Sequence, residues 1–304
     1  ARANFGLLAD AILPSLAVRV PLAAMVGGHA SAAVQEQAVA RLRARLEVQK
    51  CCKAQLAGAG GVALVAASMQ AHPASTALLR DACWVLAVLA VHSTANAQDI
   101  AKAGMIPWLC GVAGKHQRAV EVQEGCCALL RSLAVHHEQR PALAAAGAMA
   151  VLFAAMGSCL QSRVVQEEAL AGLRLLFAEL PPSSAAGLGV LRSALLEHAA
   201  SEAVQREGCA FLERLANSPA HRAAAVAAAG AESVCSAMVA FPGSPALQAY
   251  ACAALAGFAA QDPEHVSWLG GAALVEAALA RHPGSAAVQS AGPEVMRSLG
   301  RDVG

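Results

Sequence analysis

The stretch VQEGCCALLRSLAVHH, residues 122–137, joins a cysteine pair, Cys126-Cys127, to a histidine pair, His136-His137. Thiolates and imidazoles are the ligand types zinc prefers, and paired thiols also suit redox chemistry. Spacing argues against both. Adjacent residues on a helix point about 100° apart, so neither pair is a chelate by itself. Cys83, Cys127, Cys209 and Cys252 recur at long intervals in similar apolar runs. Thiols placed that way on stacked helices lie roughly 8–10 Å apart, whereas a zinc ion holds its sulfurs at about 2.3 Å. The ten cysteines thus read as small buried apolar residues with free thiols, suited to a reducing compartment. No metal and no cofactor is expected.

The elements that carry these residues repeat. VQEQAVARLRARL begins at Val34, LLRDACWVLAVLA at Leu78 and VQEGCCALLRSLA at Val122. VQEEALAGLRLLF begins at Val165, VQREGCAFLERLA at Val204, LQAYACAALAGFA at Leu247 and VQSAGPEVMRSLG at Val288. The intervals are 44, 44, 43, 39, 43 and 41 residues, a period typical of helical solenoids. With the first residue of each copy as zero, offset 4 is small and offset 8 is large and apolar. Offset 11 is apolar in every copy but the first, where Arg45 stands. Offsets 4, 8 and 11 share one helix face, predicting a buried stripe.

About 17 residues before each of five copies, an Ala-Gly or Gly-Gly corner opens another apolar run, as in AGGVALVAASM from 59 and AGAESVCSAMV from 229. Short alanine-rich pieces such as NAQDIAKA (96–103) precede that corner. Each unit is therefore short helix, glycine corner, long helix, polar loop, long helix. The expected repeats are 1–48, 49–92, 93–137, 138–180, 181–218, 219–261 and 262–304, in one solenoid over 1–304. Two copies depart from the pattern. At LPPSSAAGLG (180–189) two prolines leave little room for a first helix and predict a local change of twist. In the last copy Gly292-Pro293 predicts a helix that restarts at Pro293 and acts as a worn cap.

Composition agrees with an all-α chain. The chain is 57% hydrophobic but only 3% aromatic, with 22 basic and 21 acidic residues. Nucleic acid needs a basic stripe. The nearest candidate, Arg41, Arg43, Arg45 and Lys50, reads as the solvated face of one terminal helix. Mean hydropathy is +0.49, so the longest uncharged span, 141–162, has the length of a membrane helix. Its alanines, Pro141 and glycines make it a buried helical pair instead, and membrane insertion is not expected. The chain opens with neither an initiator Met nor a cleavable signal pattern, as expected of a processed chain or a piece of a longer one.

His72, His116, His198 and His282 each stand six residues before a zero position. They are expected to cap the second helix, whose dipole and free carbonyls favour them there. His92 and His136 share offset 14, at the end of the third helix. The chain has no P-loop, GxGxxG after a strand, HExxH or GxSxG. Glu167-Glu168 suits the solvated first turn of a third helix. No catalytic residue, small-molecule substrate or enzymatic activity is expected.

The Ala-Gly corner and the small-Cys…Leu…Leu-Ala run, as in GCAFLERLA, resemble the armadillo repeat across essentially the whole chain. The resemblance implies a right-handed α-α superhelix of about seven repeats. Its third helices would line a concave groove that binds extended segments of partner proteins, with offsets 3, 6 and 10 facing it. Importin-α-like members carry Trp at offset 6 and Asn at offset 10. Here offset 6 has one tryptophan, Trp84, and offset 10 has no asparagine, which argues against an adaptor for basic peptides. The candidate contact residues are Trp84 and Val88 as an apolar patch, Glu168, Glu207 and Arg214 in the middle, Arg131 and Arg174 on the flank, Ser132 beside Arg131, and Tyr250. The expected role is a non-enzymatic protein-interaction scaffold within a multi-subunit assembly, cytoplasmic and of cytoskeletal or ciliary kind. A transport adaptor and a metal or redox protein are the alternatives.

Overall fold

The computed structural model describes residues 16–49, 52–180 and 185–300. Among them every regular element is a helix. The helices run α1 (Leu16–Gly27) and α2 (Ala32–Val48), then the triplet α3 (Cys52–Gly58), α4 (Gly61–Ala71) and α5 (Thr76–Ala90). The next triplets are α6 (Thr94–Lys102), α7 (Met105–Lys115) and α8 (Val120–Ala134), then α9 (Arg140–Ala145), α10 (Ala148–Ser158) and α11 (Arg163–Leu175). After them come α12 (Ala185–Glu197) and α13 (Glu202–Ala216), then α14 (Pro219–Ala227), α15 (Gly230–Ala240) and α16 (Pro245–Ala259). The last are α17 (Pro263–Trp268), α18 (Gly271–Arg281) and α19 (Ala286–Ser298).

The chain forms two compact units, Ala1–Val151 and Leu152–Gly304, with the division inside α10. In the first unit the third helices pack in the order α2, α5, α8. In the second the order is α11, α13, α16, α19. The ends of the outermost expected repeats, Lys50, Cys51 and residues 181–184 of LPPSSAAGLG, where the change of twist is expected, lie outside the described residues.

The buried stripe is where the spacing places it. Leu42, Leu86, Leu130, Leu173, Leu212, Leu255 and Met296 at offset 8 are all buried, as are Leu89, Leu133, Leu176, Leu215 and Phe258 at offset 11. The small residue at offset 4 is buried in every copy. The 141–162 span is not one rod: the segments His137–Ala145 and Ala148–Ser158 meet at 74°. No single helix among the described residues is long and apolar enough to cross a membrane, although three bent pairs pass on length and composition.

Two polar devices recur along the chain. The first is the glutamine at offset 1. Gln123 Nε2 donates to the carbonyls of Ala113 at 2.8 Å and His116 at 2.9 Å, the free end of α7. Gln35, Gln166, Gln205, Gln248 and Gln289 bond the same two positions in their own copies. Terminal helix carbonyls need partners when buried, and one primary amide supplies two. The second is a serine three residues before offset zero. Ser75, Ser162, Ser201 and Ser285 each accept the amide N–H at offset zero, an N-cap that contributes about 1 kcal/mol.

The loop histidines stand at the ends of the second helices as expected, but their imidazoles link repeats instead of bonding their own helix. His72 Nε2 donates to the His29 carbonyl at 2.9 Å, and His116 Nε2 to Pro73 at 2.8 Å. His198 bonds Leu160 and His282 bonds Pro242, both at 2.8 Å. In each case the acceptor lies in the preceding copy's loop, because the imidazole reaches past its own helix end. His136 is buried and donates from Nε2 to the Ala90 carbonyl at 2.7 Å.

Two local expectations change, at α19 and at the corner before α15, and one holds. First, α19 does not restart at Pro293: it runs through it as one helix. The preceding residue is Gly292, so the Cβ that would meet the proline ring is absent. Second, the copy containing α13 has no first helix among its described residues, as the two prolines predict. A 3-10 turn, Phe177–Glu179, ends the preceding copy, and Phe177 packs edge-on against buried Phe211 with ring centroids 6.4 Å apart. Third, the corner before α15 is shifted. Gly60, Gly104, Gly147 and Gly270 take the left-handed conformation at equivalent corners, but here Ala229 does, at φ 57°. Gly230 opens α15 instead. A Cβ there would meet the Ala225 carbonyl at 2.8 Å and Phe258 at 2.7 Å, so glycine is needed for space one position late. A left-handed L-residue costs about 1 kcal/mol. Ala229→Gly is accordingly expected to raise stability by about that amount, read as a higher urea midpoint at unchanged slope. A lower midpoint would contradict the assigned backbone.

Candidate interaction surface

The third helices present offsets 3, 6, 9 and 10 away from the buried stripe, and the same electrostatic arrangement occurs once in each unit. In the first, Asp81 at offset 3 of α5 is 4% exposed. Arg80 grips it through Nε at 2.8 Å and Nη2 at 3.1 Å. Arg43, at offset 9 of α2, adds Nη1 at 2.8 Å and also pairs with Glu47 at 3.1 Å. The Arg43 guanidinium lies 5.3 Å above the centre of the Trp84 ring, a cation–π contact. In the second unit, Glu207 at offset 3 of α13 accepts from Arg174, offset 9 of α11, at 3.1 Å, and from Arg206 at 3.5 Å. An arginine at offset 9 thus braces an acid at offset 3 of the next copy, and the arginine at offset 2 closes the fork.

The predicted contact residues fare unequally. Trp84 and Val88 are half-buried, and Arg43 of the preceding copy covers part of the ring. Arg174 and Glu207 are brought together as partners rather than left as separate contacts. Arg131 on α8 and Glu168 on α11 are half-buried. Arg214 is exposed, 3.6 Å from Glu213, and Tyr250 is exposed on α16. Ser132 is a correction: it is 1% exposed, because so short a side chain does not rise above the larger ones around it, and it offers a partner no surface. Sequence reading missed Arg43, Arg80, Asp81 and Arg206. The offset table held the signal, since arginine at offset 9 recurs where the next copy has an acid at offset 3.

The nine described cysteines are all free and buried. Burial pushes Cys209 and Cys252 up to about 12, and Cys110 and Cys235 to about 11. Such thiols are poor nucleophiles. Among the described residues no three His, Cys, Asp or Glu side chains are placed to hold a metal ion.

The fold and this surface define an armadillo-repeat protein architecture, and comparison with solved structures agrees. A chain from a structure concerning the phosphorylation-controlled interaction between cadherin and beta-catenin superposes with TM-score 0.73 at 18% identity, covering 88% of this chain and 50% of that one. An engineered protein gives 0.72 at 22% identity over 89% of this chain and 65% of its own length. The chain thus spans half of the first and under two thirds of the second. A designed armadillo repeat protein in complex with the peptide (KR)4 gives 0.58 at 17% identity, covering 74% of this chain and 95% of that one. No protein-family model and no curated protein sequence matches the chain.

Two outcomes follow. Burial raises the Asp81 pKa, but hydrogen bonds and charge from Arg80 and Arg43 outweigh it and hold the carboxyl below its ordinary 3.8. A depressed folded pKa gives stability that is present above 3.8 and lost as pH falls through the lower folded value. Asp81→Asn should therefore be less stable than wild type at neutral pH, and the gap in urea midpoint should shrink only as pH falls below 3.8 through the lower folded value. A gap independent of pH would assign the loss to packing alone. For the thiols, native-state labelling of the nine described cysteines at pH 8 should proceed only as fast as the chain opens, and become immediate in denaturant. Fast native labelling of Cys83, Cys126 or Cys127 would favour a redox role.

Proposed function

We propose that the chain is a non-enzymatic protein-interaction scaffold that holds extended segments of partner proteins along its third-helix rows. It would serve as a structural component of a larger assembly, cytoplasmic and of cytoskeletal or axonemal kind. The observation that carries this reading is the braced surface around Trp84. A half-buried indole is pinned under a guanidinium, and the acid that orients the guanidinium is itself out of water. Rigid aromatic and arginine groups are the usual anchors of protein interfaces, and here little ordering entropy remains to be lost on binding. The Arg174–Glu207 pair, Arg214 and exposed Tyr250 extend the same chemistry in the second unit.

The chain should run in cell extract as part of a complex much larger than 30.7 kDa. The triple variant Trp84→Ala, Arg174→Ala, Tyr250→Ala should release it while its circular dichroism stays helical. A wild-type chain that fractionates alone as a monomer would end this reading. An adaptor for basic segments is the second reading, since one structural neighbour holds (KR)4. It is disfavoured because Asp81 and Glu207 are already neutralised by the chain's own arginines. Titration with (KR)4 is expected to give no saturable change in tryptophan fluorescence; saturation would restore the adaptor reading.

A further inference from the structure

The first repeat breaks the core rule at two positions of α2. Offset 7 is buried in every other copy, as Val85, Leu129, Gly172, Phe211, Ala254 and Val295. Offset 11 is Leu or Phe in those copies. In α2 these offsets are Arg41 and Arg45, both exposed, and neither forms an ion pair among the described residues. They stand one helical turn apart on one face.

Beside them lies a groove of about 700 Å³ between α1 and α2, floored by Leu16, Val20, Pro21 and Ala44. Leu16 is 49% exposed and Val20 55%. The face is divided: α2 offers two cations, while α1 leaves an apolar strip open. Exposed apolar strips rimmed by charge mark interaction sites. The dimensions suit one amphipathic helix of about three turns, since α1 itself is about 18 Å long.

We propose that this face of α1 and α2 docks an acidic amphipathic helix of a partner protein. Its apolar stripe would lie on Leu16 and Val20, and two carboxylates one turn apart would pair with Arg41 and Arg45. The charges on the page select the sign of the occupant, and their spacing selects its helical form. The site is separate from the Trp84 surface, so it stands or falls independently of the scaffold reading above.

The test is fluorescence anisotropy of the 304-residue chain with a labelled helical peptide bearing a leucine stripe and glutamates one turn apart. Saturable binding is expected, weakening as salt rises. Arg41→Glu with Arg45→Glu should weaken it by about tenfold or more and should shift preference to the matching lysine peptide. Val20→Asp should weaken it comparably, and Trp84→Ala should leave it unchanged. Because Arg41, Arg45 and Val20 are exposed, these variants are expected to keep the wild-type circular dichroism, which is checked alongside. No saturation with the folded chain, indifference to the charge reversal, or loss in Trp84→Ala would each overturn the proposal. So would concentration-dependent self-association that the charge reversal abolishes, which would place a second copy in the groove.

Discussion

The carbonyl groups at the end of each second helix set the constraint on which the rest depends. The helix ends against a third helix, so its last carbonyls cannot all turn to water, and a buried unpaired carbonyl costs about 1–3 kcal/mol. One glutamine amide at offset 1 answers two of them in six of the seven copies. That bond fixes the third helix in rotation about its axis. In those six copies the bond agrees in phase with the inward face of offsets 4, 8 and 11. In α5, where buried Leu79 replaces the glutamine, apolar packing alone holds the same phase and leaves Asp81 and Trp84 beside Arg43 of α2.

Neighbouring copies are then tied by groups that reach backward. The loop histidines donate to carbonyls of the previous loop, and arginine at offset 9 meets the acid at offset 3 of the next copy. Glycine allows the close approach this needs. A Cβ at Gly257 would sit 2.7 Å from the Ala216 backbone, and one at Gly125 would sit 2.8 Å from Cys83 Cβ. With α5 and α8, and α13 and α16, so near to touching, their thiols have room only as packing atoms. The surface arginines are held at fixed spacing by the same contacts.

Much of this was legible in the residue pattern. Periodicity located the long helices, the buried stripe and the burial of the cysteines, because burial is a property of a helix face and repeats with it. The glutamine and the serine cap recurred just as regularly at offsets 1 and −3, yet their roles were not legible. Their partners are backbone carbonyls and amides, which leave no mark in a residue pattern. The histidines were placed correctly at helix ends but given the wrong partner, since only the stacking of loops puts the His29 carbonyl beside His72. Ser132 shared an offset with Val88, and its burial depended on the bulk of its neighbours rather than on its phase.

By itself the sequence determined the helical class, the repeat length and the inward face, because local propensity and side-chain period are intrinsic to the chain. Tertiary structure decided what the outward residues became. Arg174 and Glu207, distant in sequence and apparently independent, became one ion pair. Ala229 took the left-handed corner because Gly230 was needed against Phe258 and the Ala225 carbonyl. Arg41 and Arg45 became an open rim because no described repeat packs on that side of α2. Arg174 and Glu207 meet across copies, Gly230 is crowded by elements of its own copy, and both contacts are set by three-dimensional packing that no single helix encodes.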